Sequence, residues 1–234
     1  MRLAGRLPAT RHVRRVTALL ALALAGCAGS HVRTPNLPEV KRLLKDYVES
    51  GRYQAEIAAV DARAAALLAE RARGGGRLAI VLDIDETALS NLRAIEINDW
   101  GYVRNGGCDL DKGPCGWIAW QELAAAPAIA PTLELARAAG RLGVAVFFVT
   151  GRQEMLRPAT EKNLRQAGYV WEGLAMRPTG TTTPSAVDLK APERRKIESQ
   201  GYTIVLCVGD QRSDLDGGSC GATFLLPNPF YLIP

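Results

Sequence analysis

Apolar residues along this chain fall into two rhythms. In residues 39–73, Leu43, Leu44, Tyr47 and Val48, and then Ile57, Val60, Ala64, Leu67 and Leu68, recur at the three- and four-residue spacing of a helix with one buried face. Gly51 is expected to split the stretch into two helices, and Gly74-Gly75-Gly76 to end the second. From Leu78 onward the blocks shorten to apolar runs: Leu78 to Leu82, Val144 to Val149, Val170 to Ala175, Thr203 to Val208 and Ala222 to Leu226. Helix-like segments separate the later runs, at Thr132 to Arg141, Gln153 to Gln166 and Pro192 to Gln200. Buried strands alternating with helices predict a parallel sheet covered on both faces. The expected class is α/β: a doubly wound, Rossmann-like sheet of five parallel strands with N-terminal helices. Residues 91–130 break the alternation and hold Trp100, Trp117 and Trp120, so they read as a small cap insert over the sheet edge.

The first 26 residues belong to a different pattern. Arg2, Arg6, Arg11, Arg14 and Arg15 precede the apolar run Val16 to Ala25. That run is about half of the ~20 residues a spanning helix needs. A basic head, a short apolar core and small residues at its end read as an export signal. The end, Leu24-Ala25-Gly26-Cys27, resembles the lipobox of bacterial lipoproteins. The resemblance implies that residues 1–26 are removed, that Cys27 is lipidated, that residues 27–37 form a tether and that 38–234 form the working domain. Ala28, where an inner-membrane protein of that kind carries Asp, implies an outer-membrane anchor facing the periplasm or the cell surface. A lipid anchor of more than one chain is what stable attachment requires.

Charge changes the picture less than its total suggests. The 234 residues carry a formal +5, but the leader's five arginines account for all of it. A neutral body with 6% aromatic residues has no electrostatic footprint for a nucleic-acid polymer. Both histidines, His12 and His31, lie near the N-terminus, which excludes a histidine base or metal ligand in the body. Four cysteines remain beyond Cys27. In an exported chain an even number suggests pairing, and three pairings are possible. Cys108 and Cys115 flank a polar, Gly- and Pro-containing stretch suited to a local staple. Cys207 reads either as a small buried apolar residue or as the partner of Cys220.

The candidate chemistry sits at strand ends. Leu78 to Leu82 runs into Asp83-Ile84-Asp85-Glu86-Thr87, and alternate strand residues point the same way, so Asp83 and Asp85 share one crevice. Thr203 to Val208 runs likewise into Gly209-Asp210-Gln211-Arg212-Ser213-Asp214. If these strands are neighbours, four carboxylates crowd one edge and raise one another's pKa, a conflict that a cation removes. Oxygen ligands without His or Cys point to Mg²⁺. Thr150 and Gly151 end a third strand and are suited to a phosphate oxygen; Lys190, placed just before the last crossover helix, supplies a fixed positive charge. Arg152 reads equally as a site residue or as half of a surface ion pair.

These motifs in this order resemble the haloacid dehalogenase superfamily. Val81 to Thr87, with Leu89 and Asn91, is similar to the first signature of the class C bacterial acid phosphatases. Gly209 to Leu215 and the ending Leu226-Pro227-Asn228-Pro229 are similar to the plant acid phosphatase and vegetative storage protein branch. Ala88, Ala94, Gln211 and Arg212 depart from the class C pattern near the expected leaving group. The resemblance implies a Mg²⁺-dependent phosphomonoesterase in which Asp83 is the nucleophile and Asp85, starting protonated, the acid and then the base. Asp83, Asp210, the Asp85 carbonyl and Asp214 hold the metal, and Thr150, Gly151 and Lys190 hold the phosphate. Nucleoside monophosphates are the substrate suggested by analogy, with the cap tryptophans as a possible stacking surface or as core of a small lobe. A phosphotransferase of the same superfamily, or a non-catalytic surface lipoprotein that keeps the fold, are the alternatives.

Overall fold

The computed structural model describes residues 34–181 and 185–233. The leader, the lipidation site at Cys27 and most of the tether lie outside the described residues. Asn36 opens the first helix, α1 (Leu37–Glu49), by accepting the Glu39 amide on its side chain. Gly51, in the left-handed region at φ 76°, turns the chain into α2 (Arg52–Ala72). Ile57, Val60, Ala64 and Leu68 form the buried face of α2, as their spacing requires.

The sheet begins with β1 (Leu78–Leu82). The insert follows, with the short helices α3 (Leu92–Ile97) and α4 (Trp117–Leu123), and a loop between them stapled by Cys108–Cys115. Next come α5 (Ala130–Arg141), β2 (Ala145–Gln153), a single 3₁₀ turn at Glu154–Leu156 and α6 (Arg157–Gln166). The chain continues through β3 (Gly173–Arg177), α7 (Ala186–Ser199), β4 (Thr203–Gly209), α8 (Arg212–Leu215) and β5 (Thr223–Leu225). All strand pairs are parallel, in the order β3-β2-β1-β4-β5. Ile80 and Leu82 face a core shared with α2 and α5; Ala79 and Val81 face a second core with Ile197 of α7. The sheet is therefore covered on both faces, and its strands are apolar on both sides for that reason.

Several boundaries differ from the sequence reading. The third strand starts at Gly173 rather than Val170, which is left exposed. A Cβ at Gly173 would lie 2.7 Å from the Phe147 ring, so only glycine lets β3 pair with Phe147 at that register. Helix α7 begins at Ala186, six residues before Pro192, because Ser185 caps it by accepting the Val187 amide. Lys190 accordingly lies within the crossover helix, not ahead of it. Strand β2 continues through Thr150, Gly151 and Arg152 to Gln153, where Gln153 pairs with Arg177.

The order of the strands positions the site. The chain moves outward from β1 to β2 and β3 and then crosses back to β4 on the other side of β1. Connections on the two sides of β1 leave in opposite directions, and a crevice opens at the strand carboxyl ends between them.

Candidate active site

Asp83 follows β1 directly and Asp210 follows β4, and those strands are paired neighbours. Asp214 is brought in by the one-turn helix α8: its carboxylate accepts the Gln211 amide at 2.9 Å. The motif's glycine is needed here, since a Cβ on Gly209 would collide with the Asp214 carboxylate. Carboxylate oxygens of Asp83, Asp210 and Asp214 lie within 4.8 Å of one another, and all three residues are buried. Lys190 places its Nζ 2.5 Å from both Asp83 and Asp214. One turn on along α7, the fully buried Arg194 donates to the main-chain carbonyls of Asp214 (2.6 Å), Gly218 (2.9 Å) and Asp216. A second disulfide, Cys207–Cys220, joins β4 to the end of the same loop, so Cys207 is a paired cysteine.

Burial drives the electrostatics. It pushes the Asp83 carboxyl well above its usual range; Lys190 opposes the shift, and Asp214, Asp210 and Asp85 add to it. Asp210 is pushed up to about 7 by burial and by Asp214, against hydrogen bonds from Asn228 and Gln211. Burial would lower the Lys190 ammonium, but Asp214 and Asp83 outweigh it and hold the ammonium charged. The donor set is three crowded, desolvated carboxylates with no nitrogen or sulfur, which fits a hard divalent cation.

Asp85 has other surroundings. Arg152 Nη2 lies 2.7 Å from its Oδ1 and Arg152 Nε 3.1 Å from its Oδ2; Asn91 Nδ2 donates at 2.9 Å and Gln121 Nε2 at 3.3 Å. Arg152 is buried, so the surface-pair reading is excluded. Burial alone would raise the Asp85 pKa, but the guanidinium charge and these hydrogen bonds win and hold it below the ordinary carboxylate range. The fork-shaped cation favours the ionised form of Asp85, so the protonated start that the resemblance implies needs a low pH. Its side chain also stands outside the three-carboxylate group, which leaves its main-chain carbonyl as the ligand the resemblance implies. Thr150 is buried and accepts the Arg152 amide at 3.2 Å, while Gly151 lines the cavity.

The cavity above these residues has a volume of about 770 Å³. Of the insert tryptophans only Trp117 lines it, beside Tyr102 and Tyr231, with ring centroids 5.0 to 5.9 Å apart. Trp120 is core and donates to Asn91 at 2.7 Å; Trp100 stacks on Phe230. The C-terminal segment is a part of the site that sequence reasoning missed. Asn228 Nδ2 donates to Asp210 at 2.7 Å, and the Tyr231 hydroxyl donates to Glu86. Glu86 is buried at φ 52°, and burial together with Asp85 pushes its pKa up to about 7. The quoted Leu226-Pro227-Asn228-Pro229 carried the signal for Asn228, but nothing in spacing ties it to Asp210.

Comparison with known proteins agrees with this geometry. The family profile of the HAD superfamily, subfamily IIIB (Acid phosphatase), matches residues 22–234. The stem 28 kDa glycoprotein of Glycine max is 34% identical over 193 residues, covering 81% of this chain and 73% of that protein. Acid phosphatase 1 of Solanum lycopersicum has the same identity over the same length, with the same coverage. The crystal structure of a class C acid phosphatase from Bacillus anthracis with tungstate bound superposes with a TM-score of 0.64 at 22% identity, over 82% of this chain and 86% of that one, and shares the fold. With its acidic strand tips, its lysine on the crossover helix and a profile match over nearly its whole length, this chain belongs to the subfamily IIIB acid phosphatases of the HAD superfamily.

Proposed function

We propose that this acid phosphatase is a Mg²⁺-dependent phosphomonoesterase that works through an aspartyl-phosphate on Asp83. The observation that supports this reading is the convergence of Asp83, Asp210 and Asp214 within 4.8 Å beside a buried lysine. Asp83, Asp210, Asp214 and the Asp85 carbonyl would hold the metal, which supplies charge neutralisation to the transferring phosphoryl group. The free carboxylate oxygen of Asp83 forms a bond to phosphorus as the bond to the ester oxygen breaks. The ester oxygen takes its proton from Asp85. Asp85, now a carboxylate again, removes a proton from a water whose oxygen attacks phosphorus and releases Asp83. Lys190 and Thr150 hold the non-bridging oxygens and the Gly151 main chain leaves them room. Because Arg152 favours the Asp85 carboxylate, the acid form is populated at low pH, which suits an acidic optimum.

Nucleoside monophosphates are the leading substrates, with Tyr102, Trp117 and Tyr231 as the wall against a planar leaving group. The leader and Cys27 support a lipid-anchored protein of the bacterial outer membrane, facing the periplasm or the cell surface. Two disulfides accord with an oxidising compartment. The decisive assay follows release of phosphate from phenyl phosphate by the full chain, with Mg²⁺ and with chelator, and traps phosphoenzyme by rapid acid quench. Turnover that survives chelation, or a quench without label on Asp83, overturns the mechanism. Transfer to added alcohols supports the phosphotransferase alternative, and inactivity on a broad ester panel supports the non-catalytic one. Mass spectrometry of the mature N-terminus tests the anchor: an unmodified Cys27 ends that part.

A further inference from the structure

Four cations line the cavity: Arg104 from the insert, Arg152 from β2, Arg177 from the end of β3 and Lys190 from α7. The acids that line it are Asp83, Asp85, Asp210 and Asp214. Each of these acids is already engaged. Asp85 pairs with Arg152, and Asp83 and Asp214 share Lys190. Asp210 accepts from Asn228 at 2.7 Å, Gln211 at 2.6 Å and Thr87 at 3.3 Å. The other two cations have no such partner: among the described residues, neither Arg104 nor Arg177 makes an ion pair or a side-chain hydrogen bond.

The placement of Arg177 matters as much as its freedom. It pairs with Gln153 across the β2–β3 register, two strands from β1. At roughly 4.8 Å per strand, its backbone is on the order of 10 Å to the side of the strand that carries Asp83. A phosphate seated on Asp83 and Lys190 therefore leaves Arg177 for a different part of the ligand. Arg104 enters from the insert, next to the aromatic wall. Arg104 is exposed and Arg177 half-buried, so both guanidiniums are free to take an anion, and a planar fork of donors is matched to carboxylate or phosphate oxygens.

Resting on the phosphatase reading above, we infer that Arg104 and Arg177 form a second anion subsite. Within the phosphomonoesters, nucleotides included, the preferred substrate is then one bearing another oxyanion, a phosphate or a carboxylate, away from the bond that is cleaved, ahead of the plain nucleoside monophosphates. Plain monoesters fill the strand-tip half of the cavity and leave both arginines unused.

The test uses the full chain and two matched pairs of compounds: adenosine monophosphate against adenosine bisphosphate, and glycerol phosphate against phosphoglycerate. The readout is the ratio of kcat/KM within each pair. A charge-assisted hydrogen bond is worth enough to favour the doubly anionic member by about tenfold or more. Arg104→Gln and Arg177→Gln each reduce that preference towards unity. Arg63→Gln, which removes the same charge from the exposed side of α2, leaves the preference in place. A preference in the adenosine pair alone assigns a phosphate to the subsite, and one in the glycerol pair alone assigns a carboxylate. A ratio near one in the native chain, or one that neither cavity variant alters, overturns the proposal. If no compound is turned over, calorimetric binding of the same four to the Asp83→Asn chain reads the same ratio. A failed phosphatase is thereby told apart from a failed subsite.

Discussion

The two flanks of the β1 tip bury carboxylates in opposite ways. On the β4 and α7 flank, Asp83 and Asp214 share a single ammonium, Asp210 has only amide and hydroxyl donors, and burial leaves Asp83 and Asp210 with raised pKa values. On the β2 and insert flank, one carboxylate, Asp85, receives a whole guanidinium and two amides, and its pKa falls. Asp83 and Asp85 are two residues apart, so neither the strand nor its sequence makes the difference. Cation supply does. A flank short of positive charge is suited to take in a metal ion and a phosphoryl group, and a flank already neutralised is suited to manage a proton.

The largest expected effects break the electron-rich flank. Asp83→Asn lowers turnover by at least about a thousandfold with an unchanged circular dichroism spectrum; substantial residual turnover removes Asp83 from the nucleophile role. Chelation also brings activity to background, since a metal supplies several kcal/mol of charge stabilisation, and added Mg²⁺ restores it in the same assay. Arg152→Gln alters the other flank. It frees Asp85 to titrate higher, so the pH–rate profile moves upward. Loss of the buried partner costs on the order of 3 kcal/mol in denaturant titrations.

A third carboxylate sharpens the comparison, because it has neither cation. Asp61 of α2 is buried with only the Thr132 hydroxyl of α5, donated at 2.8 Å, and burial pushes its pKa up to about 6. Its neutral form is favoured in the fold. Stability is therefore greatest below the ordinary aspartate range and falls as pH rises through about 6, by on the order of 2–3 kcal/mol. Asp61→Asn removes that fall, as unfolding curves at about pH 4 and about pH 8 would record. The smallest effect concerns the wall: Trp117→Ala raises KM for aromatic esters about threefold to tenfold, with aliphatic esters little changed.

Much of this arrangement was legible in the chain because it depends on local rules. Apolar strands located β1 and β4, alternation aimed Asp83 and Asp85 at one crevice, and the Gly-Asp-x3-Asp spacing delivered Asp210 and Asp214. The misplaced pieces depended on partners distant in sequence. Gly173 begins β3 because of the ring of Phe147, and α7 starts early because Ser185 caps it, a signal overshadowed by Pro192. Arg152 was ambiguous because its sequence gives no hint of a carboxylate 67 positions away. Asn228 and Tyr231 gave even less, since the chain's end returns to the site only through the folded sheet.

Helix α7 carries Lys190 and Arg194 four residues apart, on one side of the same rod. The first side chain reaches Asp83 at the end of β1, and the second grips the main-chain carbonyl of Asp214. Two carboxylate-bearing loops about 130 residues apart in the chain are thus measured from one ruler. Any tilt of that helix would displace Lys190 and Asp214 together, preserving their mutual spacing while changing their distance from Asp83.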